Sequence, residues 1–128
     1  MAAELLEPPI NVVRVSLHPK GLAPRVQNFP EYAAHLVGRL RSQAALAGDA
    51  DIAALVSEVT TYPGVADAPV VLDHTGAVLP LRLSAGSEEL AFVTTIATIG
   101  APLDVTTSEI AIEAFYPADD ATVAYFAR

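Results

Sequence analysis

From Leu90 to Ile99 the sequence runs Leu-Ala-Phe-Val-Thr-Thr-Ile-Ala-Thr-Ile, with no charge at any position. β-Branched and aromatic residues dominate the run, and successive side chains of a strand point to opposite sides of a sheet. Leu90, Phe92, Thr94, Ile96 and Thr98 would therefore share one face, and Ala91, Val93, Thr95, Ala97 and Ile99 the other. A strand that is polar on neither face belongs in the middle of a sheet, covered on both sides. The fold has to supply strands on both edges of Glu89–Ile99 and layers above and below it.

The flanking sequence provides the neighbours. Leu79, Leu81 and Leu83 alternate with Pro80, Arg82 and Ser84, and Ala85-Gly86-Ser87-Glu88 forms a hairpin turn into the central strand. Pro80 fits an edge strand, where its missing N–H faces solvent. After the break at Gly100-Ala101-Pro102-Leu103-Asp104, a further strand is predicted over about Ser108–Tyr116, with Ile110, Ile112 and Ala114 alternating against Glu109, Ala111 and Glu113. Pro117 closes it, and Asp119 or Asp120 caps a short helix carrying Val123, Tyr125 and Phe126. Three strands make a thin sheet for so apolar a centre.

Before Val65 the period is that of a helix. Glu4–Glu7 reads as a helical stub stopped by Pro8-Pro9, and Ile10–Leu17 fits either a strand or a buried helical turn. His18-Pro19-Lys20-Gly21 marks a turn, and Pro24 keeps the next residues extended or irregular. Asn28, with Glu31 three positions on, predicts a capping box, and Pro30 is harmless in the first turn. Phe29, Tyr32, Ala33, Leu36, Val37, Leu40, Ala44 and Ala47 then recur as one apolar stripe, ended by Gly48. Asp49 caps a second helix bearing Ile52, Leu55, Val56 and Val59, and Tyr62-Pro63-Gly64 ends it. The expected organisation is one α+β domain over 1–128: mainly helical from 1 to 64, a connecting loop at 65–77, antiparallel strands at 78–117 and a short helix at 119–127.

Charge and composition limit the function. Fifteen Asp and Glu against seven Lys and Arg give a net charge of −8, a field that repels phosphate backbones and anionic membranes. No basic run exceeds Arg39-Leu40-Arg41. The absence of cysteine removes disulfides and thiolate chemistry. No stretch approaches the ~18 consecutive apolar residues of a membrane helix, and the acidic N-terminal segment is unlike a signal peptide, so the expected compartment is the cytoplasm. With 52% apolar and only 17% charged residues, the chain should leave apolar surface for a neighbour, a second copy or a ligand to cover.

No catalytic constellation assembles. His18, His35 and His74 lack the close spacing of a local metal site, so neither a metal nor another cofactor is expected. Glu31, His35 and Arg39 are four apart on one helix and fit solvated side-chain pairs. There is no Gly-x-Ser-x-Gly elbow and no glycine-rich phosphate loop, and Glu109 and Glu113 read as the solvent face of an outer strand. The threonines of the central strand have two readings: sheet packing, or a pocket wall whose Thr94 and Thr98 hydroxyls orient the polar end of an apolar ligand. By facing alone, the candidate ligand-binding residues are Leu36, Leu40, Phe92, Thr94, Ile96, Thr98, Ile112 and Phe115.

Three stretches carry a family resemblance: Asn11-Val12-Val13-Arg14-Val15-Ser16-Leu17-His18-Pro19-Lys20-Gly21-Leu22-Ala23-Pro24-Arg25; Tyr32–Gln43 with His35-Leu36 and Arg39-Leu40-Arg41; and Ile99–Thr106 running on to Ile112–Asp119. Together they resemble the ligand-binding domain of MmyB-like transcription regulators. The resemblance implies a PAS-like domain whose pocket takes a fatty acid or similar apolar molecule. It also implies that DNA is reached only through a helix-turn-helix module, which this sequence lacks, and that the chain starts within the domain. The expected behaviour is ligand sensing coupled to a homodimer. Two alternatives remain at this level. One is a small α+β enzyme resembling SnoaL-like polyketide cyclases, which needs one of the three histidines in a pocket beside Asp73 or Asp104; the other is a dimerisation module without ligand.

Overall fold

The computed structural model describes residues 1–66, 80–98 and 111–128, with side chains at all but 96–98 and 111–113. Most of the 65–77 loop, the Gly100–Asp104 break and the start of the last predicted strand lie outside the described residues.

The ambiguous run before Gly21 is helical. Asn11 accepts a hydrogen bond from the Arg14 backbone N–H at 3.0 Å and caps α1, Val12–Leu17. Its alternation of Val13, Val15 and Leu17 looks like a strand, but Val13 and Leu17 are also four apart, and both pack into the core from one face of the helix. The chain then folds back on α1: Gly21 N–H donates to the His18 carbonyl at 2.8 Å and Leu22 N–H to the Val15 carbonyl at 2.9 Å.

A 3-10 turn at Ala23–Arg25 leads to α2, Phe29–Ala47. Here the structure corrects the predicted capping box. Asn28 precedes α2, but its side chain makes no capping bond. Its Nδ2 donates instead to the Pro80 carbonyl at 2.6 Å, and its Oδ1 accepts from the Arg82 backbone N–H at 3.1 Å. With Gln27 N–H on the Arg82 carbonyl at 2.8 Å and a bridge between Val26 and Leu83, residues 26–28 attach the start of α2 to a strand more than fifty positions away.

The other helix ends follow the sequence. Gly48 adopts φ +61° and donates to the Ala44 carbonyl, ending α2, and the Asp49 carboxylate accepts from Asp51 and Ile52 N–H to start α3, Ala50–Val59. The α2 stripe is buried from Tyr32 to Leu40, while Leu46 near its end is 90% exposed. Leu17, Val26, Tyr32, Ala33, Leu36, Val37, Val59, Val65 and Leu81 form the core. Each aliphatic side chain fully buried there contributes about 1.5–3 kcal/mol relative to exposure.

Strands β1 (Leu81–Ala85), β2 (Glu88–Thr98) and β3 (Ala111–Pro117) form an antiparallel sheet in that order, with β2 central. Gly86 takes φ +65° at the first position of the two-residue turn joining β1 and β2, a conformation glycine adopts without strain. The register aligns Leu81 with Phe92, Leu83 with Leu90 and Thr94 with Phe115. Leu81, Leu83 and Phe92, the strand residues packed with the helical core, all lie on this face. On the opposite face Thr95 is exposed, as is Tyr116 at 54%. Among the described residues the helical core covers only one of the two faces.

Helix α4, Asp120–Phe126, extends the sheet's hydrogen bonding past Pro117. Asp119 caps it by accepting from Thr122 N–H. Ala118 N–H donates to the Ala91 carbonyl at 2.8 Å, and the fully buried Thr122 Oγ1 accepts from Ala91 N–H at 2.9 Å. Both backbone groups of Ala91 are thereby satisfied where the partner strand has run out. Phe126 packs on Phe92 with ring centroids 5.9 Å apart.

Candidate functional site

A groove of about 330 Å3 lies between the N-terminal segment and the helix-covered face of the sheet. Leu6, Ile10, Val12, Val15, Ser16 and Leu22 line one side, and Tyr32, Leu81, Leu83, Phe92 and Phe115 the other. Helical spacing explains the first wall. Val12, Val15 and Ser16 stand at i, i+3 and i+4 on α1 and face the groove, leaving Val13 and Leu17 for the core. Pairing explains the second, because Leu81 sits opposite Phe92 on neighbouring strands. Leu6, Ile10, Val12 and Phe115 are each about half exposed, so the groove opens to solvent along an apolar rim. Its volume is at the lower end of the range for small-molecule sites, and among the described residues only Ser16 and Tyr32 bring polar side-chain atoms to its lining.

On its far side α1 is held by an ion pair. Arg14 grips Glu58 of α3 with two hydrogen bonds, Nε to Oε2 at 2.6 Å and Nη2 to Oε1 at 2.9 Å, and the Tyr62 hydroxyl donates to the same Oε2 at 2.5 Å. The Arg14 bonds, reinforced by Tyr62, hold the Glu58 carboxyl down at about 2 and push the Arg14 guanidinium pKa up. Burial, together with Glu58 as its acceptor, raises the Tyr62 phenol. His18 stacks edge-on against Tyr62 at 4.9 Å, and its Nδ1 accepts from Lys20 N–H at 3.0 Å.

The eight residues selected by facing divide into three sets. Phe92 and Phe115 line the groove. Leu36 and Leu40 are buried on α2, and Thr94 is half-buried beside Phe115 in the register; none of the three lines it. The side chains of Ile96, Thr98 and Ile112 lie outside the described residues, although the register sets Ile112 opposite Ala97, out of phase with the Thr94–Phe115 pair. Sequence reasoning missed the whole N-terminal wall. Its signal was the i, i+3, i+4 set Val12, Val15 and Ser16, hidden while Ile10–Leu17 was ambiguous. Among the described residues no group of three or more His, Asp or Glu is placed to hold a metal ion, and no helix is long and apolar enough to cross a membrane.

The family model of the MmyB-like transcription regulator ligand binding domain matches residues 1–128, the whole chain. The chain belongs to that family. Among the described residues, four α-helices and a three-stranded antiparallel sheet make the MmyB-like domain an α+β structure consistent with a PAS-like fold. No curated protein and no solved structure matches it. Family membership makes this MmyB-like chain a regulatory ligand-binding domain and points away from an enzyme. The polyketide-cyclase alternative gains no support at His18, whose ring contacts Tyr62 and a backbone N–H. His74, Asp73 and Asp104 lie outside the described residues.

Proposed function

We propose that this MmyB-like domain senses a small apolar molecule held in the groove between α1 and the sheet, and relays its occupancy to the DNA-binding part of a cytoplasmic transcription regulator. The observation that carries this reading is the groove itself, an open cleft lined almost entirely by aliphatic and aromatic side chains and closed at the sheet by Phe92 and Phe115. Filling it would remove a half-exposed apolar rim from water, the driving force such a ligand needs. A fatty acid is the ligand class the family resemblance implies. A homodimer fits the uncovered face bearing Val93, Thr95 and Tyr116, where a second copy would bury what the helical core leaves open.

Sensing requires the ligand to prefer one of two arrangements. The structural element placed to differ is α1, which offers one face to the groove and is tied to α3 through Arg14 on another. Mass spectrometry of small molecules extracted from purified protein, followed by thermal shift with the molecule identified, tests the proposal. A ligand at about 100 times its Kd should add about 2.7 kcal/mol and raise Tm by roughly 10 °C. Substituting Val15 by Trp, to fill the groove, should abolish the shift. If nothing apolar co-purifies and no apolar molecule raises Tm, the sensing role is wrong.

A further inference from the structure

The walls of the groove are not equally fixed. Val15, Tyr32 and Leu81 are buried, on α1, α2 and β1. Leu6 and Ile10, the two lining residues from the N-terminal segment, are 48% and 53% exposed, and no residue of 1–10 is buried. Regular structure in this segment is limited to a 3-10 turn at Ala3–Leu6. Among the described residues one hydrogen bond ties it to the rest of the fold, from Ala2 N–H to the Lys20 carbonyl at 2.8 Å. A segment with so little buried and so few bonds opens locally at low cost, without the core unfolding.

The acceptor end of that bond is firm. Lys20 N–H donates to His18 Nδ1 at 3.0 Å, and Gly21 N–H to the His18 carbonyl at 2.8 Å. Gly21 packs so closely on α1 that a Cβ there would lie 2.1 Å from the Val15 carbonyl oxygen. The N-terminal segment therefore runs along the groove between two fixed points, this turn and Asn11 at the cap of α1. The first of these can be released by breaking one bond, with every helix left intact. An apolar chain in the groove would lie against Leu6 and Ile10 and take their half-exposed side chains out of water, so occupancy favours the closed arrangement.

We propose that residues 2–10 are a strap that lifts to admit the apolar ligand and closes over it, with the Ala2–Lys20 hydrogen bond as its clip. The inference rests on the groove being the ligand site and adds how that site is gated.

A glutamate-specific protease tests it, because cutting after the exposed Glu4 requires the strap to lift, and the rate then follows the open population. Loss of Met1–Glu4 is read by intact mass, and decanoate, followed by displacement of an environment-sensitive dye, is the ligand probe. At about ten times its Kd, decanoate should slow the cut about tenfold, since the open strap does not hold it. Ala2 has φ −71° and ψ 135°, angles proline adopts, so Ala2→Pro removes the donor without strain there. With Met1 retained, as mass verifies, Ala2→Pro should speed both the cut and the release of decanoate about two- to tenfold, the worth of one hydrogen bond. The comparison with and without decanoate uses the unaltered chain, so it does not depend on the variant. Decanoate that binds yet leaves the cut after Glu4 unchanged would overturn the strap and leave the groove as the site. Either rate unchanged in Ala2→Pro would overturn it too. If neither dye nor decanoate binds, the groove is not the site and both readings fall.

Discussion

Replacing Asn28 by aspartate separates two roles that give opposite signs. As a helix cap, aspartate is as good as asparagine, and its charge at the start of α2 would add roughly 0.3–1 kcal/mol. As the clasp between α2 and β1, it should fail. Asn28 Nδ2 donates to the Pro80 carbonyl at 2.6 Å, and a carboxylate oxygen in that place is a second acceptor facing the first. The bond lost contributes about 0.5–1.5 kcal/mol, and the repulsion either pushes the side chain away, breaking the Arg82 N–H bond as well, or leaves a carbonyl unpaired. The net expectation is a loss of about 1–3 kcal/mol, lowering Tm by roughly 3–12 °C for a domain of this size. Urea unfolding followed by circular dichroism, with Asn28→Ser as a short cap unable to span both partners, measures the difference. Both variants at or above the stability of the natural chain would refute the clasp and restore the cap.

Gly21→Ala should destabilise by about 2–4 kcal/mol, because a Cβ there would lie 2.1 Å from the Val15 carbonyl oxygen and would have to break the Leu22–Val15 hydrogen bond; an unchanged urea midpoint would contradict this. The pH dependence should follow Glu58. Its folded-state pKa of about 2 is below the ordinary 4.5, so its stabilisation is complete above about 4.5 and is lost as the pH falls toward 2. The pair is about 40% exposed, so solvent reduces the effect, but Glu58→Gln should flatten the acid limb of the Tm profile, and a limb of unchanged slope would remove the ion pair from the account. Thr122→Val keeps the shape but leaves the Ala91 N–H unpaired, with an expected loss of about 1–3 kcal/mol and faster amide exchange at Ala91. Thr122→Ser should preserve protection, and equal exchange in the Val variant would show that the hydroxyl is dispensable.

What could be read from the sequence was local. Gly48 and Asp49 end one helix and start the next through bonds that span four residues or fewer, and Asp119 caps α4 in the same way. Gly86 sets its turn by backbone freedom alone. The central position of β2 was legible because its lack of charge makes an outer position costly. The features that escaped depend on partners distant in sequence. Asn28 had two possible acceptor–donor sets, and the one that prevails comes from Pro80 and Arg82. Thr122 gave no sign that it would complete the ladder at Ala91. The groove was half legible, since Phe92 and Phe115 follow from strand alternation, whereas Ser16 and Val15 depend on α1 being helical, and six residues are too few for periodicity to decide.

The pairing of residues 26–28 with β1 also bears on how copies of this chain can meet. An unpaired outer strand is a template onto which another polypeptide can add, and proteins that leave one long and bare are prone to sticking edge to edge. Here Val26 bridges Leu83, Gln27 donates to the Arg82 carbonyl, and the Asn28 amide occupies Arg82 N–H and the Pro80 carbonyl. The rim of the sheet beside β1 is thus covered by the chain's own residues 26–28, through backbone at Val26 and Gln27 and the side chain of Asn28. A second molecule trying to zip on there would first have to peel α2 away from the strand, disturbing the core that Tyr32, Leu36 and Val37 share with Leu17. Growth of strand upon strand from this rim is blocked in the folded state.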